Sequence, residues 1–413
     1  MRRSEIIAFI NCKTKTTASL IITILLSIGA AVSGCKTVLE RQDVRPRFMR
    51  DVPAQRLSYR FEADTGLPAN LANDVSAEKI EVIQTDFNTR RPDDALLRTI
   101  VSPDNRRALA LYGTEDQPGP VFWIDIYSLD GKFLKNLIPP DLSCVFPEMV
   151  AWSPDGNFIT FIAHKRVTPA PTPTPPTPLS EVAEPSPLPS VAPAFPSVAV
   201  FETEQIYICN RDGYDLKPLT AREGLIYFYY QWAPDNHALV ALACKEGEWD
   251  AREKQFKLPA GRPRFITPDG QERLLDDELT EALPVWSTDS AKIATAFDND
   301  VALYDAATNN PTQARIHLRE PLISASLAYD EKHGRKATAN PQKQPAAQPI
   351  SGSAQGASAI LPASLNPIVR LEWPMPETLY FQTAFVRLMP NEPINTFQRW
   401  HRLTLSPQTA VLR

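Results

Sequence analysis

One phrase governs the chain: an apolar run, a short polar break and a second apolar run, clearest in VAWSPDGNFITFIA at residues 150–163. The break is Ser153-Pro154-Asp155-Gly156. Proline presets φ near about −65°, an Asp accepts backbone N–H bonds across a turn, and glycine tolerates the left-handed conformation that reverses a chain. The phrase is therefore strand, tight turn, strand. It recurs as IVSPDNRRALALY from Ile100, YQWAPDNHALVALA from Tyr230 and PVWSTDSAKIATAF from Pro284; LEWPMPETLYFQTAF from Leu371 is a worn copy with no Asp in its turn.

A second marker travels with the first. WIDIYSLDGKFLKNL, QIYICNRDGYDLKPLT and RFITPDGQERLL each place an Asp-Gly pair (Asp130-Gly131, Asp212-Gly213, Asp269-Gly270) between two β-rich runs, which is a hairpin signature. The turn aspartates Asp104, Asp155, Asp235 and Asp289 fall into steps of roughly 50 residues once a Pro-rich insertion of about 30 is set aside. Four strands per unit at that period predict an all-β chain, a β-propeller of four-stranded antiparallel blades over 58–413, six in number. The sixth unit rests on spacing alone, with PLISASLAYD (321–330) as the first strand of an eroded blade turning near Asp330. Residues 58–62 and IEVIQTD (80–86) read as short strands ahead of the first blade, either of which can complete the last one.

The W-S-P-D-G phrase, the I-A-F-like strand after it and the Y-x-x-D-x-D-G-like hairpin resemble the WD-like repeat of the TolB propeller family, seen also in propeller domains of prolyl-oligopeptidase relatives. The resemblance covers 95–310 well and 320–413 poorly. It implies a propeller and no particular activity, because that fold hosts many. TolB itself carries an α/β domain ahead of its propeller; the stretch of about 60 residues here is too short for one, so a Tol-system role is not implied. No hydrolase domain follows, as one does in a prolyl oligopeptidase.

With 413 residues and 43% apolar content the chain can bury a substantial core, and a net charge of −5 gives no basic footprint, so no nucleic-acid partner is expected. Forty prolines against 15 glycines is a strange balance for a propeller. The excess collects in two low-complexity tracts, 167–197 and 335–364, expected to be extended and disordered. The first falls between the second and third strands of its blade, as a tolerated loop expansion; a ligand for a Pro-recognising partner or a spacer is the functional alternative.

The N-terminus carries the most specific motif. Arg2, Arg3, Lys13 and Lys15 precede an uncharged apolar run at 18–32, short for a bilayer span and suited to an export signal at 1–34. It ends in Val32-Ser33-Gly34-Cys35, which resembles the bacterial lipobox. That resemblance implies cleavage between Gly34 and Cys35 and lipid attachment to Cys35; an uncleaved signal anchor is the alternative. Lys36 follows, where Asp would favour inner-membrane retention, so an outer-membrane address facing the periplasm is expected. Residues 35–57 read as a tether.

No catalytic residue, metal or cofactor is assigned. The aspartates Asp104, Asp155, Asp235 and Asp289, with Gly131, Gly156, Gly213 and Gly270, are read as structural turn residues. Sialidase-type Asp boxes would need a Trp that no copy has. His164, His237, His317, His333 and His401 show no metal-ligand spacing. Cys144, Cys209 and Cys244 allow at most one disulfide, and the last two read as small core residues. Ser351-Gly352-Ser353 and Gly356-Ala357-Ser358 lack the setting of a nucleophile elbow. The run Tyr227-Phe228-Tyr229-Tyr230 reads as core packing before a groove. The expected function is a non-catalytic binding or scaffolding module at the cell envelope, held to the membrane by a lipid anchor, with a protein or glycan partner. The alternatives are a glycan- or peptide-active enzyme with its site at the central channel, and a structural subunit of an envelope complex.

Overall fold

The Asp turn builds the same hairpin four times. Ser102, Ser153, Ala233 and Ser287 each donate their backbone N–H to the carbonyl five residues on, at 2.8–2.9 Å. The Oδ1 of Asp104, Asp155, Asp235 and Asp289 accepts the N–H two residues on, from Arg106, Asn157, His237 and Ala291 at 3.1–3.2 Å. The next position takes a left-handed φ in every copy: Asn105 52°, Gly156 71°, Asn236 66° and Ser290 58°. Where the first residue is Ser, its hydroxyl donates to the same carboxylate (Ser102 to Asp104, Ser153 to Asp155, Ser287 to Asp289).

The computed structural model describes residues 49–68, 71, 79–114, 121–166, 198–306, 311–332, 364–387 and 395–408. The signal, the Gly34–Cys35 pair, the first part of the tether and the Pro-rich tracts 167–197 and 335–363 lie outside the described residues. A lone strand, β1 (Leu57–Glu62), comes first. Blade I holds β2 (Asp94–Val101), β3 (Arg107–Thr114), β4 (Trp123–Ser128) and β5 (Phe133–Asn136). Blade II has a split first strand, β6 (Leu142–Val145) and β7 (Ala151–Trp152), then β8 (Phe158–Lys165), β9 (Gln205–Asn210) and β10 (Lys217–Pro218). Blade III holds β11 (Leu225–Trp232), β12 (Leu239–Lys245), β13 (Arg262–Ile266) and β14 (Glu272–Leu274). Blade IV holds β15 (Val285–Trp286), β16 (Lys292–Phe297), β17 (Asp300–Asp305) and β18 (Gln313–His317). Blade V gathers β19 (Ser364–Leu365), β20 (Ile368–Met375), β21 (Thr378–Arg387) and β22 (Asn395–Pro407), and β1 completes it by pairing antiparallel with β22, Leu57 opposite Pro407. A strand from 58–62 thus does close the last blade.

The tryptophans occupy one register. Trp152 pairs with Ile159, Trp232 with Leu239 and Trp286 with Ile293, each seven residues on and each just before its turn. Their indole N–H groups reach the preceding blade: Trp152 to Ile100 O and Trp286 to Gln231 O at 3.1 Å, Trp232 to Thr160 Oγ1 at 3.0 Å. Apolar clusters fill the spaces between successive blades, as with Leu109 and Phe161 between I and II or Ala296 and Phe381 between IV and V. The two kinds of turn share a face. Arg211, beside the Asp-Gly turn of blade II, donates to Asp104 Oδ2 in the Pro-Asp turn of blade I at 2.8 Å, and a Cβ on Gly213 (φ 74°) would stand 2.7 Å from Ile126 of blade I. Lys165 ends β8 at the opposite face.

Four expectations are corrected. The described residues form five sheets, not six. The segment 321–330 is helix, within α3 (Arg319–Lys332): Leu322 and Ser326 are four apart and both buried, a helical spacing, and Pro321 sits in the first turn where its missing N–H is harmless. The segment 80–86 is helix as well, within α1 (Glu81–Arg90), because Ile83 and Phe87 make one face against blade I; a reading that stops at Asp86 omits the Phe that reveals the period. The tether also ends sooner than expected. Met49, Val52, Ala54 and Leu57 are buried in the cluster between blades IV and V, so 49–57 belongs to the folded body.

Between β12 and β13 lies α2 (Glu246–Glu253), which ends in a Schellman arrangement: Lys257 N–H to Arg252 O at 3.0 Å and Phe256 N–H to Glu253 O at 2.9 Å. The left-handed residue there is Phe256, φ 53° and 98% exposed, at a position that ordinarily favours glycine. Relief of about 1–2 kcal/mol of left-handed strain, offset by the greater freedom of glycine in the unfolded chain, should make Phe256→Gly more stable by about 0.5–1 kcal/mol. Urea unfolding measures it, and a loss of stability would mean that the ring is packed.

Candidate functional site

First strands of neighbouring blades meet where Trp152 reaches β2, where Trp286 reaches β11 and where β15 packs on β20, and three first strands carry a β-bulge at the same point. The unpaired residue is Leu97 in β2, Phe228 in β11 and Val369 in β20, each five residues before the start of its turn. A bulge re-aims the side chain that follows it. In β2 that is Arg98, whose Nη2 donates to Pro147 O of blade II at 2.5 Å; in β11 it is Tyr229, whose hydroxyl donates to Pro284 O of blade IV at 3.2 Å. In β20 it is Arg370, which pairs with Glu372 at 2.8 Å and lies over Trp400. Burial lowers the pKa of Arg98 against the pull of Glu148, and burial raises that of Tyr229 with help from Glu372. Two of these re-aimed side chains, Arg98 and Tyr229, thus tie one blade to the next, and Arg370 stays within blade V.

A separate cleft opens on blade I, on the face opposite the Asp turns. Its volume is ≈ 380 Å³, and Arg91, Asp94, Tyr112, Trp123, Asn136 and Arg166 supply its polar and aromatic lining. Asp125 anchors it from behind. This carboxylate is fully buried in β4 and accepts from Arg91 Nε at 2.8 Å, Arg91 Nη2 at 3.2 Å, Asn136 Nδ2 at 2.8 Å and the Tyr112 hydroxyl at 3.4 Å. Burial works against the charge of Arg91, but the Asp125 bonds outweigh it and the pKa of the guanidinium rises. Tyr112 and Trp123 face each other across β3 and β4, ring centroids 6.0 Å apart, and each carries a guanidinium: Arg91 at 4.2 Å over Tyr112 and Arg166 at 5.6 Å over Trp123.

One cluster imitates a catalytic pair. His401 and Thr383 are buried in blade V with Nε2 and Oγ1 2.9 Å apart, and Asp64 stands at the other ring nitrogen. The geometry runs the wrong way. The Asp64 backbone N–H points at Nδ1 at 3.4 Å, so Nδ1 accepts and Nε2 is the protonated nitrogen, which leaves no lone pair to take the Thr383 proton. Burial, with Arg399 adding to it, lowers the His401 pKa to about 4. The ring is a neutral core element.

The turn residues stay apart from both places. Asp104, Asp155, Asp235 and Asp289 hold their own hairpins, and Gly131, Gly156, Gly213 and Gly270 all take positive φ, from 71° to 91°. Cys144, Cys209 and Cys244 are buried free thiols, and burial pushes Cys209 and Cys244 up to about 12. Tyr227, Phe228 and Tyr230 are buried, as core packing requires. Among the described residues no group of three or more His, Cys, Asp or Glu is placed to hold a metal, and no helix is long and apolar enough to cross a membrane. Sequence reasoning missed the cleft, although Asp125 inside the apolar run WIDIY was a signal for it: a charge on a buried strand face needs partners.

These blades make the chain a β-propeller. No protein-family profile matches it, and no curated protein does. Among solved structures it is similar to a protein assigned as TolB from Agrobacterium tumefaciens, at 12% identity over 75% of this chain and 88% of that one, TM-score 0.28. It is similar also to the N-terminal domain of Nup159 (10% identity, 85% of this chain and 65% of that one, TM-score 0.36) and to a prolyl endopeptidase (9%, 84% and 50%, TM-score 0.35). The chain spans about two thirds of the former and half of the latter.

Proposed function

We propose that this protein is an exported lipoprotein, anchored through Cys35 in the cell envelope with an outer-membrane address facing the periplasm, whose propeller is a non-catalytic binding module for a glycan or protein partner. The observation that carries binding over catalysis is the state of Asp125. Fully buried and held by Arg91, Asn136 and Tyr112, it fixes a wall of the cleft and presents no free carboxylate to a ligand. The anchor rests on the sequence Val32-Ser33-Gly34-Cys35. Several acyl chains at about 0.8 kcal/mol per buried CH₂ hold a protein on a membrane without further contact. Growth with a fatty-acid analogue should label the wild type and leave Cys35→Ala as an unlabelled, uncleaved precursor. Equal label on both proteins would remove the anchored reading.

A further inference from the structure

We propose that the blade I cleft binds an acidic saccharide, with the sugar carboxylate on Arg166 and the hydroxyls on Asp94 and Asn136. This rests on the binding-module reading and names the ligand class. The two arginines of the cleft differ in one respect. Arg91 is neutralised by Asp125 at 2.8 Å and leans on Asp94 at 3.7 Å. Arg166 has no carboxylate within ion-pair distance among the described residues; it donates one bond, Nη2 to Leu142 O at 3.0 Å, while its backbone N–H is tied to Asp141 O at 2.9 Å. Its Cζ lies over the Trp123 ring, 5.6 Å from the centroid. A guanidinium above an aromatic ring with most of its N–H groups unspent is set to grip a planar anion edge-on.

The remaining lining calls for a ligand that donates. Asn136 directs its amide nitrogen to Asp125 at 2.8 Å and to the Tyr112 hydroxyl at 3.0 Å, so its carbonyl oxygen is the group left for a visitor. Asp94 is an acceptor, and Thr114 beside it serves either way. Ile138 and Pro140 give the cleft an apolar side. One carboxylate, several hydroxyls and an apolar C–H face describe a sugar acid. A bare carboxylate meets only Arg166, and a neutral sugar leaves that charge unmatched. The cleft, at ≈ 380 Å³, falls in the range of about 300–1,000 Å³ usual for small-ligand sites.

The test is isothermal titration of the full chain, in detergent, with four probes: D-glucuronate, D-glucose, acetate and triglycine. D-glucuronate is expected to bind at least tenfold more tightly than the other three, Arg166→Gln to bring it down to the level of glucose, and Asp94→Asn to weaken both sugars. Equal binding of glucose and glucuronate by the wild type overturns the proposal without recourse to any variant. So does acetate matching glucuronate, which would mark a plain anion site, or triglycine surpassing it, which would mark a site for a peptide terminus. If none of the four binds while the fatty-acid analogue still labels Cys35, the saccharide inference fails and the anchored-module reading stands.

Discussion

Replacing Asp305 by alanine is expected to destabilise the protein by about 3–5 kcal/mol, the usual consequence of stranding one member of a buried ion pair. The side chains of Lys292 and Asp305 are 4% and 3% exposed, with Nζ 3.0 Å from Oδ1. The ammonium also donates to Val52 O at 2.6 Å, and the carboxylate accepts the backbone N–H of Ala54 at 3.1 Å and of Thr312 at 3.0 Å. Alanine would leave a buried cation, the buried Ala54 N–H and the half-buried Thr312 N–H without their acceptor. Chemical denaturation at neutral pH measures the loss, and a change below about 1 kcal/mol would mean that the cation reaches water. The effect also has a pH signature. Burial opposes the charge of Asp305, but the Thr312 and Lys292 hydrogen bonds outweigh it and hold its pKa below the ordinary 3.8. A depressed carboxylate contributes stability that is present above the unfolded value and lost as pH falls through the folded one. Wild type and variant should therefore converge only below about pH 3.8.

A larger effect is expected from trimming the N-terminus. A chain beginning at Met49 should fold like the whole, whereas one beginning at Ala63 should not. The second loses Met49, Val52 and Leu57 from the core between blades IV and V, and with them strand β1. Burial of such side chains stabilises by about 1.5–3 kcal/mol each, so the three together rival the ~5–15 kcal/mol total of an ordinary domain. It also takes away the Ala54 N–H and the Val52 carbonyl that complete the Lys292–Asp305 pair. Circular dichroism during heating decides the matter: equal melting of the two chains would show that 49–62 is dispensable.

What the sequence disclosed was mostly local. An Asp turn closes over six residues, and the same side-chain-to-backbone bonds appear at Asp104, Asp155, Asp235 and Asp289, so the repeat and its four-stranded unit were readable. Helix α1 was misread because its β-branched run was cut one residue short of Phe87, and α3 because 321–330 was placed by the spacing of the repeat and not by its own Leu322–Ser326 period. The blade count followed from that error, since 321–330 was the only support for a sixth unit. The cleft was beyond local reading for a different reason. Arg91 precedes β2, Tyr112 lies in β3, Trp123 in β4, Asn136 ends β5 and Arg166 follows β8, so their meeting depends on how two blades pack.

The pairing of β1 with β22 bears on the order in which the molecule can come into being. Leu57 must wait for Pro407, and Glu62 for Arg402, across almost the whole length of the body. Strand β1, made long before β22, is thus secured only after it, and until then β1 and the rim of blade V offer unpaired strand edges to any other chain nearby. Long-range pairings of this kind slow folding because the loop between the partners must be gathered in before the contact repays it. A chain interrupted before Asn395 has no place for its own first strand. For this protein, completion of β22 is the event that ends the vulnerable interval.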